Sequence, residues 1–333
     1  MRVLVTGGGG FLGQAIVKLL LERGDEVRSF SRNRYPQLDD LGVEQICGNL
    51  DDSSAVNDAV NGCDIVYHVA AKAGVWGSCQ DFYQTNVVGT RNIVNACRND
   101  SVTKLVYTSS PSVVFDGNDM EGVDESVPYP EHFHAWYPLT KAEAEQIVLG
   151  ANDDTLATVA LRPHLIWGPE DNHLVPRILE RGQAGALRRI GRRDCLVDTV
   201  YIDNAAKAHL QAADVLDIRS RVAGRAYFIS NNEPLPLWDI INGILATADI
   251  PPVHKSVSPG VAFVVGWFLE KIYSIFRLSG EPRMTRFVAR ELSTAHWFDL
   301  SAAQRDFSYN PEISIEEGLK RLKKWVQERS CDS

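Results

Sequence analysis

The chain has 333 residues, 44% hydrophobic and 23% charged, a composition that fits one large α/β domain or two modest ones. Its formal net charge of -9 excludes the concentrated Lys/Arg footprint of a nucleic-acid binder. Cys47, Cys63, Cys79, Cys97, Cys195 and Cys331 show no CxxC spacing, so they are expected to be reduced, mostly buried side chains of a cytoplasmic protein.

Met1 leads straight into Val3-Leu4-Val5, and no signal peptide is expected. The longest charge-free apolar stretch, around Gly260 to Leu269, falls short of the about 20 residues a bilayer span needs. The protein is therefore expected to be soluble, or at most associated with a membrane surface.

Arg2 to Val5 reads as a strand, and Thr6-Gly7-Gly8-Gly9-Gly10-Phe11-Leu12-Gly13 as a glycine turn opening a helix from Leu12 to about Arg23. Gly24 ends that helix and Glu26 to Phe30 forms the next strand. Strand, glycine turn, helix and strand within about 30 residues is the context of a dinucleotide site. Gly7 allows the tight turn, Gly10 the approach of a pyrophosphate, and Gly13 the close packing of helix on strand. The helix start, with Phe11 and Leu12, offers free backbone amides to the phosphates. Gly8 also satisfies G-x-G-x-x-G, so the first glycine has two assignments.

The T-G-x-x-G-x-x-G spacing resembles the extended short-chain dehydrogenase/reductase family. That likeness implies a Rossmann-type, doubly wound parallel α/β sheet with a smaller C-terminal substrate-binding lobe. The expected division is a dinucleotide-binding domain over 1–160 and a mixed α/β lobe over 161–330, with the chain free to cross between them.

The second strand ends in Phe30-Ser31-Arg32, where an NAD site usually carries Asp or Glu. A hydroxyl and a guanidinium, with Arg34 just beyond, suit a 2′-phosphate, so NADP(H) is expected over NAD(H). Asn49 and Leu50 follow the third strand where the family commonly has Gly-Asp-Leu; the Asn49 carbonyl can still accept from an adenine amino group. Ile65 to Ala71 reads as a buried strand whose end resembles the family's H-x-A-A segment, placing Ala70 and Ala71 beneath the dinucleotide. His68 is expected to be a core histidine. A helix follows over 81–99, with Asn86-Val87-Val88-Gly89-Thr90-Arg91-Asn92 resembling the family's N-x-x-G-T-x-N.

Lys104 to Thr108 is the next strand, and Ser109 and Ser110 stand at its carboxyl end, where open parallel sheets bind ligands. Tyr137 and Lys141 are one helical turn apart, so an ammonium is expected to favour the phenolate and lower its pKa. Alone this spacing is weak; the glycine turn and a serine upstream, in this chain order, make it a carbonyl site. Tyr137 then exchanges a proton with the substrate oxygen, Ser110 hydrogen-bonds the same oxygen, and Ser109 is the second choice. By resemblance, Lys141 also bonds the nicotinamide ribose and Pro163 borders the cofactor. No G-x-S-x-G elbow surrounds either serine, and no metal-ligand spacing appears.

Thr155 to Leu161 is another strand, followed by helices near 174–182, 204–216, 237–247 and 315–328 and short strands at 196–202 and 225–230. Arg162-Pro163-His164, Gly168-Pro169, Tyr201-Ile202-Asp203-Asn204 and Thr108 to Gly117 resemble the 3β-hydroxysteroid dehydrogenase branch. Two groups within it are similar, the 2-alkyl-3-oxoalkanoate reductases of long-chain olefin synthesis and the sterol-4α-carboxylate 3-dehydrogenases. Both handle a hydroxyl or ketone β to a carboxylate on a bulky apolar body. His164 is the candidate for the carboxylate with Lys72 second, and Trp76, Phe115, Trp136 and Trp167 are candidates for an apolar channel. Arg32 favours the first group, whose reductases use NADPH. A UDP-sugar epimerase and a catalytically silent NADP(H) sensor remain as alternatives. The resemblance also implies a homodimer formed through helices around 81–99 and 138–150. The aromatic, apolar segment 257–278 keeps two readings, a buried helix or an exposed patch for a membrane surface or a partner protein.

Overall fold

The computed structural model describes residues 1–331. Its centre is a seven-stranded, wholly parallel sheet. The first five strands in the chain are β1 (Arg2–Thr6), β2 (Glu26–Ser31), β3 (Glu44–Cys47), β4 (Ile65–His68) and β5 (Lys104–Thr108). Across the sheet the order is Arg225–Ile229, Ala157–Pro163, β5, β4, β1, β2, β3. Val3, Leu4 and Val5 are all fully buried because helices cover both faces, so β1 reads as an unbroken apolar run without alternation. The chain runs outward from β1 to β3 and then crosses back to β4. The gap between β1 and β4 is thus the switch point where such sheets open a crevice beyond their carboxyl ends.

The first helix, α1 (Phe11–Glu22), starts on the glycine turn and packs against the helix Ile202–Val215. The expected 81–99 helix runs from Cys79 to Asn99, with a π-helical turn at Tyr83–Val88 that carries Asn86. The expected strand 196–202 divides in two. Leu196–Val197 joins a four-stranded sheet with Leu235–Pro236, His296–Phe298 and Met120–Val123, whereas Val200–Tyr201 pairs with Ile166–Trp167. Asp198, at the break, turns its carboxylate to the Phe298 amide and to His164.

A boundary at 160/161 falls inside the strand Ala157–Pro163. Arg225–Ile229, from beyond that boundary, forms one edge of the main sheet, and Met120–Val123, from before it, joins the smaller sheet. The chain therefore crosses between the two layers more than once.

Cys47 and Cys79 are exposed, while Cys63, Cys97 and Cys195 are buried; all five are free thiols, and the Cys331 side chain lies outside the described residues. The segment 257–278 forms the helix Pro259–Phe276, and the buried-helix reading is overturned. Only Ala262 and Gly266 are buried, whereas Val264, Phe268, Ile275 and Phe276 are 58–72% exposed. Gly266 is what lets this helix lie directly on the backbone of Thr285 and Arg286, and Glu270 pairs with Arg286 at 2.7 Å. With 18 residues the helix is long and apolar enough, by length and composition, to cross a membrane, which corrects the expectation that the segment is too short.

Candidate active site

A cavity of about 780 Å3 lies beyond the carboxyl ends of the sheet strands. One half is built by the turns after β1, β2, β3 and β4, and is lined by Gly7, Gly10, Phe11, Leu12, Gly13, Ser31, Arg32, Asn49, Leu50, Ala70 and Ala71. Gly7 sits at φ +71°, a conformation an L side chain rarely adopts, and a methyl there would approach Ala70 Cα at 3.0 Å. A methyl on Gly13 would run into the Gly7 carbonyl, so α1 touches the turn at that residue. These two contacts assign the tight turn to Gly7 and the helix–strand packing to Gly13.

The cradle fits a dinucleotide. Ser31 Oγ is buried at the end of β2 with no partner, and Arg32 beside it makes no ion pair among the described residues. Arg34 is different, because Asp39 holds its guanidinium at 2.7 and 3.0 Å. Asn92 donates to the Leu50 carbonyl and fixes the loop after β3. His68 is buried between the Thr6 and Thr90 hydroxyls at 2.8 and 2.9 Å, and burial drives its pKa down to about 3. It stays neutral and holds β1 and β4 to the helix behind them.

The other half of the cavity brings together the residues expected to carry the chemistry. Tyr137 and Lys141 lie on the helix Trp136–Gly150, and both face the cavity with Ser110 and Pro163. Ser110 closes the loop after β5, its hydroxyl bonded to Ser112 Oγ at 2.9 Å and accepting from the Ser112 amide at 3.2 Å. Ser109 Oγ is buried without a partner. Ser110 is the serine beside the Tyr137 phenol.

Burial pushes the Tyr137 pKa up to about 12; the Ser110 hydroxyl pulls the other way and the Glu291 carboxyl adds to the rise. The expected lowering by Lys141 does not appear. The Lys141 ammonium, 2% exposed, instead donates to the Thr108 carbonyl at 2.5 Å and lies 4.1 Å from the centroid of the Tyr107 ring. Burial lowers the Lys141 pKa to about 7, opposed by Glu145 one turn further along the helix. Glu145 is itself buried against Arg162 at 2.6 and 3.0 Å and accepts from Tyr129, tying the Tyr137 helix to the strand Ala157–Pro163. Asn86 donates to Thr140 Oγ1 and pairs with both backbone groups of Lys72, so the π-helical turn sets that helix against the β4 loop.

Of the substrate candidates, Lys72, Phe115 and His164 line the cavity. Lys72 turns its ammonium towards Asp81 at 3.8 Å. His164 Nδ1 is 2.7 Å from Asp198, and its ring packs edge-on against His296 and Phe298. Trp167 is a correction: it is fully buried in the core, bonded through Nε1 to Thr199 and packed on Tyr201. Trp76 also lies off the cavity, in a shallow depression with Tyr273, and Trp136 is exposed beside the site. The apolar wall comes instead from Met120, Phe115, Leu165, Phe287 and Phe298. Tyr35, Ser112, Glu291 and His296 also line the cavity without having been singled out in the sequence. Only Ser112, two residues from Ser110, stood near a motif.

The model of the 3-beta hydroxysteroid dehydrogenase/isomerase family matches residues 4–257. The 2-alkyl-3-oxoalkanoate reductase of Stenotrophomonas maltophilia is 52% identical over 325 residues, 97% of this chain and 98% of that protein. The decarboxylating sterol-4-alpha-carboxylate 3-dehydrogenase of Mus musculus is 31% identical, covering 96% of this chain and 89% of that protein. Among solved structures, the UDP-glucuronic acid 4-epimerase of Bacillus cereus in complex with NAD superposes with a TM-score of 0.76 at 20% identity, covering 99% of each chain. That last likeness is one of fold.

Proposed function

The chain belongs to the 3-beta hydroxysteroid dehydrogenase/isomerase family, and we propose that it reduces the ketone of a β-keto acid with a bulky apolar body, with NADPH. The substrate we assign is a 2-alkyl-3-oxoalkanoate, reduced to the 2-alkyl-3-hydroxyalkanoate, in a reversible two-electron exchange. The carrying observation is Tyr137 and Ser110 side by side on one wall of a cavity that joins a dinucleotide cradle to an apolar end. The extended identity with the Stenotrophomonas reductase supports this substrate over a sterol acid. Arg32, which lines the cradle and makes no ion pair among the described residues, supports NADPH over NADH.

A nicotinamide dinucleotide supplies the hydride when bound, held by the Gly7–Gly13 turn, Asn49, Ala70 and Ala71. Tyr137, whose raised pKa keeps it protonated at neutral pH, delivers its phenolic proton to the carbonyl oxygen. Ser110 donates a hydrogen bond to that oxygen as charge develops there. Lys141, anchored on the Thr108 carbonyl and lining the cavity beside Tyr137, would hold the ribose of the dinucleotide. His164, backed by Asp198, faces the substrate's carboxylate, and the phenylalanine wall takes its alkyl chains. Reduction of long-chain β-keto acids with NADPH, oxidation of sterol acids with NADP+ and epimerisation of UDP-sugars, assayed side by side, test this reading. Turnover of only the sterol acids or the sugars overturns it.

The exposed helix Pro259–Phe276 supports a peripheral contact with a lipid surface or a partner protein. Loss of vesicle binding and of partner capture in Phe268→Glu is the expected result; a wild type that stays free of both refutes the contact. A homodimer through the helices of residues 79–99 and 136–150 is proposed as well, and is tested by mass in solution.

A further inference from the structure

Glu291 closes the helix Arg286–Glu291, and its side chain faces the cavity alongside Tyr137. Among the described residues its carboxyl group has no hydrogen-bond or ion-pair partner. Its backbone carbonyl accepts from His296 Nε2 at 2.9 Å. The basic side chains near it are engaged elsewhere. Arg290, its neighbour in the chain, is turned to His134 at 2.7 Å and packs on the Phe263 ring. Lys141 is committed to the Thr108 carbonyl, and His164 to Asp198. His296 donates from Nε2, which leaves Nδ1 a lone-pair acceptor, and burial holds its pKa down to about 3, so it carries no charge. Phe115, Phe287 and Met120 complete the surroundings.

An acidic side chain in an anion's pocket looks like a contradiction. It resolves if the acid keeps its proton. Glu291 keeps part of its surface exposed at the cavity wall, and its partial burial away from any counter-charge raises the carboxyl pKa to about 7. A second carboxylate entering the same cavity raises it further, because two like charges at that range do not both ionise.

We propose that Glu291 is a substrate-binding residue that recognises the acid by sharing one proton with it, its carboxyl O–H donating to the substrate carboxylate. This rests on the β-keto acid reading above and deepens it: the enzyme then selects an acid from its ester by a proton, with His164 flanking the pair. One proton is held by the complex and released when the acid leaves. The apparent KM for the acid therefore rises with pH once free Glu291 ionises, by about tenfold per pH unit in the limit.

The test uses the oxidation direction, since β-hydroxy acids do not decarboxylate as β-keto acids do. KM and kcat are measured between about pH 6 and 9 for a 2-alkyl-3-hydroxyalkanoic acid and for its methyl ester with NADP+, in wild type and Glu291→Gln. For wild type, KM for the acid should climb above about pH 7 while KM for the ester stays flat. For Glu291→Gln, whose amide cannot ionise, KM for the acid should lose its slope with pH. The inference is overturned if wild-type KM for the acid has no slope, or if Glu291→Gln keeps the slope. The acid-against-ester comparison in wild type stands even if the variant folds poorly. Turnover of the ester but not the acid removes the Glu291 role while leaving the oxidoreductase in place. Turnover of neither removes the β-keto acid reading itself.

Discussion

Removing the Arg32 guanidinium should change the cofactor more than the reaction. Arg32 lines the cavity at the end of β2, next to the buried Ser31 hydroxyl, and among the described residues it has no carboxylate to release before it meets a phosphate. A charge-assisted hydrogen bond is worth about 1.5–3 kcal/mol, which at about 1.4 kcal/mol per decade is roughly ten- to 150-fold in affinity. Arg32→Ala should therefore raise KM for NADPH by about that factor while leaving KM for NADH within about twofold. Arg34→Ala should do much less, because Asp39 already holds Arg34 and screens its charge. The assay is kcat/KM for both cofactors with one substrate, in wild type and the two variants. Equal kcat/KM for NADPH and NADH in wild type, or an equal loss for both cofactors in Arg32→Ala, refutes the reasoning.

Tyr137→Phe keeps the ring and removes the proton, so kcat should fall by about 10²–10⁴ with the Kd for NADPH unchanged in a fluorescence titration. Activity within a few-fold of wild type would move the proton donor elsewhere. Lys141 has its pKa lowered from 10.5 to about 7 in the fold. Between those values the unfolded chain binds more protons, so stability contributed at this site rises with pH through the window and is constant below it. Lys141→Met should flatten that rise in chemical denaturation relative to wild type, and an unchanged difference across the window contradicts it. Glu145→Gln leaves Arg162 buried opposite a neutral amide, and should destabilise by about 3–5 kcal/mol in the denaturation midpoint. A loss below about 1 kcal/mol would show that the pair is not desolvated in solution.

The first half of the fold was legible because local chemistry and global position coincide there. β1, β4 and β5 each hold a short apolar run, and the turn after β1 has a conformational reason for its glycine, since Gly7 sits at positive φ. The break between Leu196–Val197 and Val200–Tyr201 was not legible. Residues 196–202 read as one strand, yet Asp198 and Thr199 between them are buried and spend their polar atoms on His164, Phe298 and Trp167. Only partners more than 30 residues away explain why the chain turns there. Trp167 failed for the same reason: nothing in Ile166-Trp167-Gly168 says that its indole N–H will find Thr199 in the core.

The site divides along the same line. Ser110, Tyr137 and Lys141 announce themselves because their spacing reflects one helix turn and one strand end, both local geometries. Their electrostatics do not follow from spacing, since the Lys141 ammonium reaches the Thr108 carbonyl and leaves the phenol to the effect of burial. Glu291 shows the limit most sharply. In the sequence it is one acidic residue in Arg290-Glu291-Leu292, in a stretch with no motif. It reaches the cavity because Gly266 lets the exposed apolar helix rest directly on Thr285 and Arg286, which sets the short helix of residues 286–291 against the pocket. A residue missing its side chain on one helix thus positions a carboxyl group on the next. Widening Gly266 to valine should force the exposed helix and the backbone of residues 285 and 286 apart and so displace Glu291 from its place on the cavity wall, so that the slope of KM with pH is lost while Glu291 itself is intact. A Gly266→Val enzyme that keeps the wild-type slope would separate the helix packing from the pocket.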